Sequence, residues 1–330
     1  PLLGDHLKGP IGHIIDVMAV VATMFGLATT LGLGIQHINA GMHYLFNVEE
    51  SANLQVILIA IITLGATLSV VSGLHKGIQV LSKIASVMAI ILMGFMLVVG
   101  PTLFILGSTV QSTGYYLQNL IATSTWMEVN TESRWMDSWT FFYWGWWFAW
   151  APFVGLFVAR ISKGRTIKEF LIGVVIAPTL ATIVWISIFG STSLHIEIFG
   201  SGGMTEAVNQ DITTALFKLL EHFPLPYLSI LFVVIAGVIF FITSSDSGSL
   251  VIDFITSGGQ ENTPVQLRIF WALLEGAVAA VLLWGGGLIA LQTGSLVTGL
   301  PVCLLMLVVC YAILKALRTY EAETNKGANP

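Results

Sequence analysis

The sequence predicts an all-α membrane protein, and three observations predict it. Hydrophobic residues make up 55% of the 330-residue chain and charged residues only 9%, against roughly 25% charged in soluble domains. No charged residue occurs between Lys83 and Glu128, or between Glu275 and Lys315, and both stretches exceed the ~20 apolar residues that cross a bilayer as helix. Lipid offers the backbone no hydrogen-bond partner, so a chain of this composition satisfies its N–H and C=O groups internally, in helices.

Glycine and proline breaks, charge clusters and length divide the chain into eight expected spans, at 14–34, 53–73, 84–106, 138–158, 168–190, 227–256, 268–289 and 292–316. Orientation follows from the basic residues. With residues 1–13 cytoplasmic, Lys8, Lys76, Lys83, Arg160, Lys163, Arg165, Lys168, Arg268, Lys315, Arg318 and Lys326 fall inside, and only Arg134 and Lys218 outside. Lys and Arg in short loops set topology, so the tail at 317–330 is expected in the cytoplasm. Acids such as Glu128, Glu132 and Asp137 fall on the outer face. Two outer connections, 107–121 and 205–222, mix apolar and polar positions at helical spacing and are expected as amphipathic interfacial helices.

Several function classes are excluded by what the sequence lacks. It has no metal-ligand cluster, Gly-rich phosphate loop or nucleophile elbow, and its seven histidines (His6, His13, His37, His43, His75, His195 and His222) are scattered over helix ends and loops. No enzyme, no organic cofactor and no nucleic-acid partner is expected. Cys303 and Cys310 stand two turns apart on one apolar helix, too far to bridge. The chain opens on Pro1 and is read as a fragment of a longer protein.

The most unusual stretch is "SWTFFYWGWWFAWAPFVGLF" at 138–157, with Trp144, Trp146, Trp147 and Trp150 within seven positions. On a helix, Phe142, Trp146, Trp150 and Phe153 follow i, i+4, i+8, i+11, while Tyr143, Trp147 and Trp150 follow i, i+4, i+7, giving two neighbouring aromatic stripes. The rings lie near the middle of the span, not at its end where an aromatic belt belongs. Two readings remain open on the residues alone: helix packing by large aromatics, or an electron-rich box for a cation that cannot donate hydrogen bonds, such as trimethylammonium, at about 0.5–2 kcal/mol per ring.

"WTFFYWGWWFAWAPFVGLFVARISKGRTIKEF" (139–170) resembles the signature of the betaine/choline/carnitine transporter family. "FFITSSDSGSLV" (240–251), "ATTLGLG" (28–34) and "SGLHKGIQVLS" (72–82) resemble further family motifs, in the family's order, and the match runs from about residue 9 to 316. The resemblance implies an inverted five-helix-repeat symporter fold with about eight of twelve transmembrane helices present. Residues 1–137 would supply the last three helices of the first repeat and an external amphipathic helix, and 138–316 the complete second repeat. The four preceding helices are expected to be absent.

The resemblance also assigns residues. Trp147 is implied as the central member of the substrate box, Trp146 and Trp150 as neighbours that guide substrate and close the pathway, and Phe142 as a transient cation contact. Thr243 and Ser244 occupy the positions whose hydroxyls ligate sodium in family members, while the residues alone also allow those hydroxyls to bond back to the preceding helical turn. A second sodium position is implied at Thr23 and Phe153, with Leu27 where some members carry another threonine. Between Lys8 and Lys76, and from Leu219 to Leu267, no Lys or Arg is available as a substitute cation.

The function so implied is sodium-coupled symport of a quaternary ammonium compatible solute, glycine betaine first, by a homotrimer in a bacterial inner membrane. Proton-coupled choline uptake and sodium-independent carnitine- or betaine-type exchange are the alternatives. Asp246 is the membrane-embedded acid that needs an explanation, because charge at depth is paired or functional. It reads either as a proton or gate group or as a hydrogen-bonded helix break. Glu275 is placed to pair with an arginine of a cytoplasmic loop, and Gly32 and Gly34 are expected at close helix contacts.

Overall fold

Every apolar stretch long enough to cross a bilayer is helical in the computed structural model, which describes residues 4, 8–72, 77–131, 133–260 and 263–327. His6, His75, Lys76 and Glu132 lie outside the described residues. Among the described residues there is no strand, and seven helical segments have the length and composition of membrane spans.

The first, α1 (Pro10–Phe46), opens with a proline in its first turn and ends at Asn47, which turns left-handed at φ 53° and returns its N–H to His43 O. Proline suits the first helical turn because the N–H it lacks would have no partner there. At 37 residues α1 outruns the expected span at 14–34, since Gln36, His37 and Asn39 are polar without being helix breakers. Next come α2 (Ala52–Ser72) and α3 (Ile78–Val99).

The expected span at 84–106 is corrected here. Its helix stops at Val99, where Gly100 is extended (ψ −176°), because the residue before a proline is pushed out of helical conformation. A separate helix, α4 (Thr102–Gln118), then runs through the first half of the expected amphipathic connection. It buries Ile105 and leaves Leu103 and Val110 exposed.

The tryptophan-rich α5 (Met136–Ile161) begins with a π-helical turn over Met136–Phe141. After a capping box at Thr166 and Glu169 comes α6 (Ile167–Phe199), which meets α4 through a Ser191–Ser108 hydroxyl pair at 2.9 Å. Short helices at Met204–Gln210 and Ala215–Glu221 fill the second outer connection. His37 of α1 contacts Thr213 O in that connection, at 3.1 Å.

The chain closes with α7 (Pro226–Thr256) and a 63-residue helical run, α8 (Val265–Gly327). A straight helix of that length would reach roughly 95 Å, about three bilayer cores. Gly287 interrupts it at φ 63°, ψ −162°, a conformation that essentially only glycine adopts. The break falls at the end of the expected span 268–289, three residues before the gap that separates it from 292–316.

At the centre, α1 packs against α2, α5, α7 and α8. Small residues on it receive large ones. A Cβ on Gly34 would meet the Phe241 ring at 2.0 Å, and one on Gly32 would meet Leu291 Cδ1 at 2.3 Å. The α5–α8 contact is backbone to backbone, since a Cβ on Gly299 would stand 2.2 Å from the backbone oxygen of Gly145.

The expected pairing of Glu275 is also corrected. Arg268 is engaged instead by Asp253 of α7, at 3.5 Å, and donates to Thr263 Oγ1 at 2.9 Å. Asp253 lies beside the α7–α8 turn, whereas Glu275 stands two turns further along α8, out of reach of the same guanidinium.

The backbone contact at Gly299 has no flexible group that can yield. Gly299→Ala is therefore expected to destabilise the protein by about 1–3 kcal/mol, read as a lower melting temperature in detergent. Gly94→Ala, where a Cβ meets nothing within 4 Å, is expected to be neutral or slightly stabilising.

Candidate functional site

Helical periodicity divides the aromatics of α5 between two faces, and the structure shows what each face meets. The inner stripe is Phe142, Trp146, Trp150 and Phe153. Phe142 and Trp146 stack nearly parallel (8°) at 5.7 Å, Trp146 meets Trp150 edge-on at 6.3 Å, and Trp150 meets Phe153 edge-on at 5.3 Å. Phe142 and Phe153 are each only 6% exposed.

This stripe is held against α1 by a specific device. Trp146 Nε1 donates to Gly26 O at 3.0 Å and lies 3.2 Å from Thr30 Oγ1. Gly26 also clears the way for the next ring, because a Cβ there would stand 2.6 Å from Trp150 Cδ1. The indole N–H of Trp146 is thus spent on the helix contact, and that fixes the rotation of α5 about its own axis.

The outer stripe then points away from α1. Trp135 and Trp139 stack at 6.5 Å (27°), and Trp139 and Tyr143 at 5.5 Å (20°). Trp147 stands one turn beyond Tyr143 and is 67% exposed. Trp144 is exposed too.

Of the four expected substrate residues, three therefore lie together on the inner face and Trp147 lies apart from them. Trp150, which the spacing allows in either stripe, belongs to the inner one. Sequence reasoning missed Trp135 and Trp139, although both stand at multiples of four before Tyr143 and Trp147, the signal that finds them. A row of ring faces ending in an uncovered indole offers cation–π contacts at each step.

The hydroxyl positions are of two kinds. Thr243 Oγ1 donates to Phe240 O at 2.8 Å, back along its own helix, while Ser244 is half-buried. Thr23 Oγ1 is fully buried without a hydrogen-bond partner, and Phe153 packs in the same cluster as Met24 and Leu27. Leu27 fills the space of a missing side chain: a Cβ on Gly248 would meet its Cδ1 at 2.1 Å. The unpartnered hydroxyl of Thr23 is of the kind that suits a hard cation. A backbone site would also draw on carbonyls, which a continuous helix has already committed.

Asp246 is 1% exposed and lies inside α7, which runs unbroken past it. The helix-break reading is thereby corrected. Its partner is Ser69 of α2, whose hydroxyl donates to Oδ2.

The model of the betaine/carnitine/choline family of transporters matches residues 1–322. A glycine betaine/proline/choline/ectoine transporter of Vibrio parahaemolyticus is 44% identical over 329 residues, which is 97% of this chain and 57% of the relative. The glycine betaine transporter OpuD of Bacillus subtilis is 42% identical over 329 residues, 99% of this chain and 64% of OpuD. A glycine betaine transporter of Acinetobacter baylyi is 40% identical over 319 residues, 96% of this chain and 48% of the relative. The chain thus spans roughly half to two-thirds of the length of these relatives.

The two stripes make distinct predictions for stability. Trp146→Phe removes the donor to Gly26 O and is expected to cost about 0.5–1.5 kcal/mol, seen as a lower melting temperature. Trp147→Phe, at an exposed ring, is expected to leave that temperature within error of the wild type.

Proposed function

Because the chain belongs to the betaine/carnitine/choline family of transporters, we propose that it forms part of a sodium-coupled symporter for a quaternary ammonium compatible solute, with glycine betaine the first choice. The observation that carries this reading is Trp147: a mid-span indole, 67% exposed, one turn beyond the stacked rings of Trp135, Trp139 and Tyr143. A trimethylammonium group has no hydrogen to donate, so ring faces replace its hydration where carbonyls do not.

The names of the relatives support a betaine-type substrate. Two are glycine betaine transporters, and the third carries choline, proline and ectoine in its name as well. Substrate would bind near mid-membrane and cross by alternating access between two inverted repeats, of which 138–316 is the second. Sodium enters as co-transported substrate. Thr243 and Ser244 supply hydroxyls for it, Thr243 once its own rotates away from Phe240 O, and Thr23, buried without a hydrogen-bond partner, serves a second position with Phe153. By thermodynamic linkage, sodium and betaine then raise each other's affinity by the same factor.

The basic residues favour a bacterial inner-membrane orientation with the C-terminal tail in the cytoplasm, and the family resemblance favours a homotrimer. Uptake of labelled betaine and labelled choline, with and without a sodium gradient, tests substrate and coupling together. Trp147→Ala is expected to raise the KM for betaine roughly tenfold, the worth of about 1.4 kcal/mol of cation–π contact, at normal membrane insertion; an unchanged KM removes Trp147 from the site. Thr243→Ala combined with Ser244→Ala is expected to flatten sodium activation, and an unaltered sodium curve rejects those ligands.

A further inference from the structure

Four oxygen atoms on three helices are buried without any hydrogen-bond partner: Thr63 Oγ1 of α2, Ser245 Oγ and Asp246 Oδ1 of α7, and Glu275 Oε2 of α8. The α7 and α8 oxygens are neighbours, and Thr63 lies one residue along α8 from them. Ser245 and Asp246 are the polar neighbours of the Glu275 carboxyl, and Ser69 of α2 donates to the other oxygen of Asp246. Thr63 Oγ1 lies 2.1 Å from where a Cβ of Gly276 would be, against the residue that follows Glu275. The missing side chain of Gly276 is what lets that hydroxyl come so close.

Asp246 and Glu275 are each 1% exposed, and among the described residues neither forms an ion pair with a lysine, arginine or histidine. Arg268, two turns before Glu275 on α8, is taken by Asp253. Lys83 on α3 and Asp16 on α1, which belong to neighbouring helices, are exposed. Two buried carboxyls with no ion-pair partner among the described residues, each with an oxygen left without a hydrogen bond, are unfavourable unless a ligand completes them.

We propose that these oxygens bind a hard monovalent cation, sodium, between α2, α7 and α8. The free donor set is all oxygen, which selects hard cations over transition metals. Calcium takes six to eight oxygens and magnesium retains several waters, whereas four free oxygens in a dry setting suit a monovalent ion. The site is separate from Thr243 and Ser244. Ser245 and Asp246 meet α8 and α2, while the Thr243 hydroxyl turns back to Phe240 O. A cation here would tie three helices together, and any conformation that separates them would release it. The inference does not rest on the transport reading.

Its test uses the purified protein in detergent, with NaCl titrated against KCl at constant ionic strength. The readouts are melting temperature and tryptophan emission, for which Trp271, one turn before Glu275, is the nearby reporter on α8. In a Thr243→Ala, Ser244→Ala background, a saturable sodium-dependent rise in melting temperature is expected to persist. Adding Glu275→Gln is expected to weaken the apparent sodium affinity at least tenfold. If that variant does not fold, Thr63→Val and Ser245→Ala each remove one neutral ligand and are expected to weaken it severalfold. No sodium response in the background, a response unmoved by these substitutions, or a response to pH with none to sodium overturns the proposal. Absence of betaine uptake by the wild type bears only on the transport reading, because the titration contains no substrate.

Discussion

The contact on which the rest of this arrangement depends is the seating of α5 against α1 at Gly26. A helix carrying aromatics on several faces has no single preferred rotation in an apolar medium, since lipid and protein interior are equally apolar. The Trp146 N–H removes that degeneracy. Its bond to Gly26 O and the approach of Trp150 over the same glycine fix one stripe inward, and the second stripe must then face outward. On the other side of α5 the backbone of Gly145 meets Gly299, so the helix is clamped at points where no side chain intervenes. Packing of this kind supplies the association energy that hydrophobic burial cannot supply between helices in a bilayer.

Polar groups inside the bundle follow a related logic. Many hydroxyls within the spans bond back to a carbonyl three or four residues earlier, as Thr30, Thr67, Thr192 and Thr243 do, and such groups add little between helices. A few instead link helices. Thr29 of α1 reaches Leu291 O and Ser295 of α8, and Ser295 returns to Phe25 O. These bonds bracket the helix that the Gly287 break frees to turn. Against that background of satisfied groups, the oxygens around Asp246 and Glu275 stand out because they are not spent on holding helices together.

Much of the fold was legible because lipid imposes strong constraints. Length and apolarity revealed the spans, and Gly100–Pro101 and Gly287 are visible interruptions. The misjudged boundaries have local causes: the sequence pattern carried one span through Gly100 and Pro101 to 106, and it ended α1 early at residues that are polar but still good enough helix formers. The aromatic stripes were readable from periodicity, except that Trp150 fits both sets of spacings. The partner of Arg268 was not readable, because three acids, Asp253, Glu261 and Glu275, lie near it in sequence, and it is the geometry of the α7–α8 turn that brings Asp253 to it.

The sequence by itself determined that this is a helical membrane protein of the betaine/carnitine/choline family, with its tryptophans on one span and its hydroxyl-rich motif on another. Those properties reside in composition, periodicity and contiguous motifs. Only the tertiary structure decided that Trp147 is uncovered while its three companions are packed inward, and that Leu27 is committed to Gly248. It alone made Ser245, Asp246 and Glu275 neighbours, with Thr63 one residue along α8 from them. Such facts depend on how each helix is rotated against its neighbours, and in a bilayer that rotation is set by a few glycine clearances and single hydrogen bonds between residues more than a hundred positions apart.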